Sequence, residues 1–168
     1  QDTEIQMPFT MPVAKVFPDS GYVAMFSDLK DPERIGLHFT SRRNGSYNHG
    51  HPDQNSFVIM AYGEEIARDS DYYTYYHDAF DLGFNKKTYA HNAITYDDGT
   101  GQPANNINAK GNITGFINQA DFKLASGNAE DAYGNAFSKM GRDIIYIYPD
   151  MFICIDDIAT SGSEYTLE

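Results

Sequence analysis

The hydrophobic pattern along this chain is β-like almost throughout. Segments 21–26, 34–39 and 55–62 read as short strands rich in β-branched and aromatic residues. A turn at Gly63-Glu64 followed by Glu65-Ile66-Ala67-Arg68-Asp69 makes the third of these one arm of a hairpin. Residues 89–96 alternate well. His91, Ala93 and Thr95 fall on one face, and Ala90, Asn92, Ile94 and Tyr96 on the other, so a strand is expected there. Asp97-Asp98-Gly99-Thr100-Gly101 closes it with turn residues. Further strands are expected at 111–117, 120–125, 143–148 and 151–156, the last two joined by a two-residue turn at Pro149-Asp150. Only 129–136 has any helical character, and Gly134 weakens it. The pattern predicts an all-β protein built as an antiparallel β-sandwich.

Composition narrows the possibilities. The 168 residues suit one domain or a large piece of one. Thirteen Tyr, eleven Phe and no Trp fit the sandwich, and no repeat or low-complexity linker interrupts it. The net charge of −12 argues against a nucleic-acid partner and against attachment to anionic membranes. No apolar run is long enough to span a bilayer as a helix. No basic-then-apolar leader opens the chain, so a signal peptide is expected to have been removed or to lie outside it. The single cysteine, Cys154, leaves no internal disulfide, and its apolar surroundings predict burial. The polar start and the strand-like end at Ser163-Glu164-Tyr165-Thr166-Leu167-Glu168 suggest a fragment of something longer.

The richest chemistry lies in Asn48-His49-Gly50-His51-Pro52-Asp53-Gln54-Asn55. Two imidazoles stand two residues apart, with Asp69 and His91 downstream. Imidazole nitrogen and carboxylate oxygen are good zinc ligands. In an extended segment both histidines would face one ion. In a loop they could diverge and take separate jobs. Asn92 and Asp53 are candidates to fix the imidazole tautomers. His38 and His77 are read as ordinary histidines. Arg42, Arg43, Lys86 and Lys87 could form a local basic rim. Tyr72-Tyr73-Thr74-Tyr75-Tyr76 places four tyrosines in five residues. Their hydroxyls are hard to satisfy in a core and suit stacking and hydrogen bonding to sugars.

The stretches 48–57, Ala61-Tyr62-Gly63-Glu64, Ala67-Arg68-Asp69-Ser70 and Tyr89-Ala90-His91-Asn92, in this order, resemble the heparinase II/III-like polysaccharide lyases. That group includes heparinases and alginate lyases. Phe17-Pro18-Asp19-Ser20-Gly21-Tyr22 resembles the opening of that family's sandwich region, and the likeness runs from Val16 to Ile158. It implies a β-sandwich that follows a helical (α/α) toroid, with an acidic polysaccharide in the cleft between them. It further implies a zinc ion held by His51, Asp69 and His91, a catalytic His49 facing the cleft, and substrate contacts at Tyr73, Tyr76, Asn48 and Arg42. Where the family often has Asp-x-Gly-Tyr, this chain has Asp69-Ser70-Asp71-Tyr72, so the local turn is expected to differ.

The implied reaction is a β-elimination on a uronic acid. The carboxylate must be neutralised, the C5 proton removed and the C4 oxygen expelled. A histidine with an Asn or Arg answers the first need, and a His/Tyr pair supplies base and acid. The family's catalytic tyrosine comes from the toroid, for which this chain has no helical region. The 168 residues alone are therefore expected to be inactive. The scarcity of basic residues favours alginate or a similar unsulfated polyuronate over heparin-like chains, and a secreted or periplasmic location goes with such a substrate. Two other readings use the same residues. One is a non-catalytic carbohydrate-binding sandwich with a structural zinc. The other is a cupin-type metal barrel, which uses H-x-H but follows it with a glutamate that Asp53-Gln54-Asn55-Ser56 lacks.

Overall fold

The computed structural model describes residues 11–70 and 78–168. They form two antiparallel sheets whose strands follow chain order. The first contains β1 (Ala14–Phe17), β2 (Tyr22–Phe26), β3 (Gly36–Thr40), β4 (Ser56–Ala61) and β5 (Glu64–Ala67). The second contains β6 (Asn112–Asn118), β7 (Phe122–Asn128), β8 (Phe137–Ile147) and β9 (Met151–Thr160). The expected β-sandwich is the observed architecture.

Period-two alternation builds the core. Val23 pairs with Phe39 and Met25 with Leu37 across β2 and β3, and all four side chains are fully buried. Ala125, Ile144 and Tyr146 from the second sheet join them in one cluster. Burying a residue such as Phe39 is worth about 1.5–3 kcal/mol. The opposing strand β7 makes room for it with small residues. A Cβ on Gly127 would lie 2.7 Å from Cζ of Phe39 and 2.4 Å from Oδ1 of Asn55. A second cluster gathers Ala129, Ala132, Tyr133, Phe137 and Met140 under Ile94, Tyr96 and Tyr165.

Several local expectations change. The β4–β5 turn is Tyr62-Gly63, both at positive φ, not Gly63-Glu64. This is the twist that suits a two-residue hairpin loop. The β8–β9 connection uses three residues, Tyr148 to Asp150, because Ile147 pairs with Met151. The short helical stretch is one 3-10 turn, Glu130–Tyr133. Cys154 is exposed, not buried, because β9 is the sheet's outermost strand among those described.

The largest correction concerns 89–96. No strand forms there. Thr88–Ala90 is a 3-10 turn, and the amide of His91 donates to the carbonyl of Thr88 at 3.0 Å. The side chain of Asn92 donates to the carbonyls of Phe57 (2.9 Å) and Arg68 (3.2 Å). Ladder-like pairing starts only at Thr95 and Tyr96, whose partners lie at 166–168 and at Thr100. Residues 166–168 pair with this segment, Leu167 bridging Tyr96.

Candidate functional site

The site is built from loops tied to the sandwich by buried polar groups. Arg142, on β8, holds Asp156 through Nε (2.6 Å) and Nη2 (2.9 Å). Its Nη1 donates to the carbonyls of Asn55 (2.8 Å) and Asn92 (2.6 Å). One guanidinium thus fastens the end of the histidine loop to the segment that follows His91. Burial opposes its charge, but the bonds and field of Asp156 outweigh this and raise its pKa. Gln54 and Gln102 exchange backbone and side-chain hydrogen bonds, each 2.9 Å long. Nε2 of Gln102 also donates to the hydroxyl of Tyr133 at 3.1 Å.

The histidine loop is not extended. Asn48 lies at φ 57, and the amide of Gly50 donates to the carbonyl of Tyr47 at 3.0 Å. The two histidines consequently diverge. His49 is exposed. His51 is half-buried, and its Nδ1 lies 3.3 Å from Nε2 of His91. His91 is buried, with Nδ1 3.2 Å from Oδ1 of Asp69 and Nε2 3.0 Å from the carbonyl of Asn85. Asp69, His91 and His51 thus form a chain of contacts from three separate loops.

The electrostatics follow from these contacts. Burial works against a charged His91. The close contact with Asp69, the fields of Asp53 and Asp69, and the Asn85 carbonyl more than compensate, so its pKa is raised. His51 is pushed down to about 4 by burial first, then by His91, Lys86 and Arg42. His51 is thus the less basic of the two imidazoles.

The donor set suits a divalent metal in chemistry. Tetrahedral zinc with bonds of about 2.0–2.1 Å separates its ligand atoms by about 3.3 Å, which matches the His51–His91 spacing. Oδ1 of Asp69 and Nδ1 of His91 are buried and make no aligned hydrogen bond among the described residues. Asp69, however, meets the His91 nitrogen remote from His51. Among the described residues no three His, Cys, Asp or Glu side chains gather as a metal-holding group. His51 and His91 fit as ligands, and Asp69 fits as the carboxylate that orients His91.

The other expected residues fall as follows. Arg42 turns inward. Its Nη2 pairs with buried Asp53 and donates to the carbonyl of His51 at 3.0 Å. Asn48 is exposed. Tyr73 and Tyr76 lie outside the described residues, as do Tyr72, Tyr75 and His77. Among the described residues Asp53 bonds to Arg42 and Asn92 to backbone carbonyls, neither to an imidazole. Of the basic rim, Arg43 and Lys87 are exposed, whereas Lys86 is buried. Its Nζ donates to the carbonyls of Asn48 (2.6 Å) and Gly50 (3.0 Å). Lys86 and Arg142 had no signal in the sequence beyond their charge.

The antiparallel sandwich thus carries an exposed histidine beside an imidazole–carboxylate chain centred on buried His91. The chain belongs to the heparinase II/III-like family, matching the model of its C-terminal domain over residues 11–167. No curated protein matches it in sequence. Among solved structures it resembles a heparinase III gene product, with TM-score 0.74 and 17% identity over 90% of this chain. It also resembles a mutant of the heparan sulfate lyase HepC from Pedobacter heparinus, with TM-score 0.76 and 16% identity over 93% of this chain. The chain spans 23% of the length of each of these two proteins.

Proposed function

We propose that this domain supplies one wall of a polysaccharide lyase that cleaves a uronic-acid-containing chain by β-elimination. The observation that carries this reading is the divergence of the two histidines. His51 points into the buried chain with His91, while His49 stands exposed on the same loop. In the proposed reaction His49 meets the uronate at the cleft, helping to neutralise the carboxylate and to manage the C5 proton. An (α/α) toroid supplies the other wall and a tyrosine. A zinc ion, when bound, would anchor the loop under His49. His51, Asp69 and His91 are the residues proposed to hold it, with the imidazoles as direct ligands and Asp69 behind His91.

The substrate is proposed to be alginate or a similar unsulfated polyuronate. Arg42, Lys86 and Arg142, the cations built into this wall, are turned toward Asp53, backbone carbonyls and Asp156. That leaves them poorly placed for sulfates. Heparan sulfate is the second reading, because the similar HepC is a heparan sulfate lyase.

Unsaturated-product absorbance tests the reading. The 168 residues alone should show no turnover on any uronate, and joining them to the toroid should produce it. A panel of alginate, unsulfated glycuronans and heparan sulfate should rank the unsulfated chains first. Appreciable turnover by the isolated chain would sink the two-wall assignment. Elemental analysis tests the metal. His51→Ala and His91→Ala should each abolish stoichiometric zinc, whereas Asp69→Asn should weaken zinc affinity by about 10–100-fold. Equal loss in all three variants would instead make Asp69 a direct ligand.

A further inference from the structure

We infer that Lys86 is a positioning residue for His49, a role that rests on the lyase reading above. Lys86 caps the wide π-helical turn Asp81–Asn85, and its amide donates to the carbonyl of Asp81 at 2.9 Å. Its side chain runs inward, and the residue is only 5% exposed. The ammonium donates to the carbonyl of Asn48 at 2.6 Å and to that of Gly50 at 3.0 Å. These carbonyls flank His49 on either side. One cation therefore straddles the exposed histidine and holds the peptide units 48–49 and 50–51.

The rest of the loop depends on that hold. The Asn48 backbone sits in the left-handed region at φ 57, which costs energy in a residue with a Cβ. Gly50 is crowded: a Cβ there would lie 3.1 Å from the Tyr47 carbonyl and 3.2 Å from that of Gly45. On the far side Nη2 of Arg42 donates to the carbonyl of His51 at 3.0 Å. Carbonyls 48, 50 and 51 are thus all held by cations around the exposed His49. Hydrogen bonds from a charged donor are about twice as strong as neutral ones. Two of them converging from one buried group fix a loop far better than solvent would. Asn85, the neighbour of Lys86, also touches the buried chain, since its carbonyl meets Nε2 of His91. Residues 85 and 86 therefore set His91 and the His49 backbone from one turn.

The test uses Lys86→Met and Lys86→Gln, the second keeping a shorter donor. In the 168-residue chain, amide hydrogen exchange at Gly50 should accelerate at least about tenfold in Lys86→Met, with core amides such as Val23 and Phe39 unchanged. In the chain joined to the toroid, kcat should fall by about 10–100-fold with KM nearly constant, as expected when a reacting group is misplaced by about 1 Å. Lys86→Gln should be intermediate in both measurements, and it carries the test should Lys86→Met fail to fold. Unchanged Gly50 exchange, or a loss expressed in KM alone, overturns the positioning role. If the unsubstituted protein joined to the toroid has no turnover, the lyase reading itself fails, while the exchange measurement still reports whether Lys86 holds the loop.

Discussion

Replacing His49 with alanine should lower kcat of the toroid-joined protein by about 10³-fold, within the 10²–10⁴ range typical of an acid–base group. Substrate affinity, zinc content and thermal stability should stay close to those of the parent. The expectation follows from where the side chain lies. His49 is exposed, whereas the chain of Asp69, His91 and His51 is centred on buried His91. Its backbone is set by Lys86, which bonds to carbonyls 48 and 50 and does not require an imidazole at 49. Isothermal titration with oligouronates alongside turnover is the measurement. Binding lost in parallel with activity would make His49 a binding residue and favour the non-catalytic sandwich. A fall of less than about tenfold would remove it from the chemistry.

The second large effect concerns stability. Arg142→Met should cost about 3 kcal/mol of unfolding free energy, in the range found when one partner of a buried ion pair is removed. Methionine can fill the volume of the stem. It cannot satisfy the carbonyls of Asn55 and Asn92, nor the carboxylate of Asp156. Asp156 is 27% exposed at its side chain and can recover some hydration, which holds the cost below that of a fully enclosed pair. Urea unfolding of the 168-residue chain would measure it, read as a shift in midpoint at constant slope. A loss under about 1 kcal/mol would show that Arg142 is not the fastening between the histidine loop and the second sheet. Because it ties both loops, the substitution should also loosen His91 relative to His51.

Much of the architecture was legible from the order of residues. Strands β2 to β5 of the first sheet are signalled by short apolar runs such as Val23-Ala24-Met25 and Phe57-Val58-Ile59-Met60 and formed close to where expected, whereas β1 (Ala14–Phe17) was not among the expected strands. Pattern failed where alternation had a local cause. At 89–96, His91 is buried by contact with Asp69 and Asn85, while Asn92 is drawn to the carbonyls of Phe57 and Arg68. Period two there records alternating partners from distant loops, not two faces of a ladder. Cys154 failed differently. Its apolar neighbours belong to an outer strand, and strand position within a sheet is not written in composition.

The sequence by itself determined the residue types of the site and the two-sheet class of the fold. Period-two patterning and turn chemistry act over a few residues, and imidazoles and carboxylates announce their own chemistry. Residue pattern left open which of two neighbouring histidines turns inward and only the resemblance implied His51; the tertiary structure supplies the cause, the left-handed backbone of Asn48 and the cations behind it. It decided as well that Lys86, Arg42 and Arg142 serve the interior. A lysine or arginine reads as surface until its carbonyl and carboxylate partners arrive from up to 87 positions away, as Asn55 does for Arg142. Burying such a charge is tolerable only once those partners are in place, and only the folded chain brings them together.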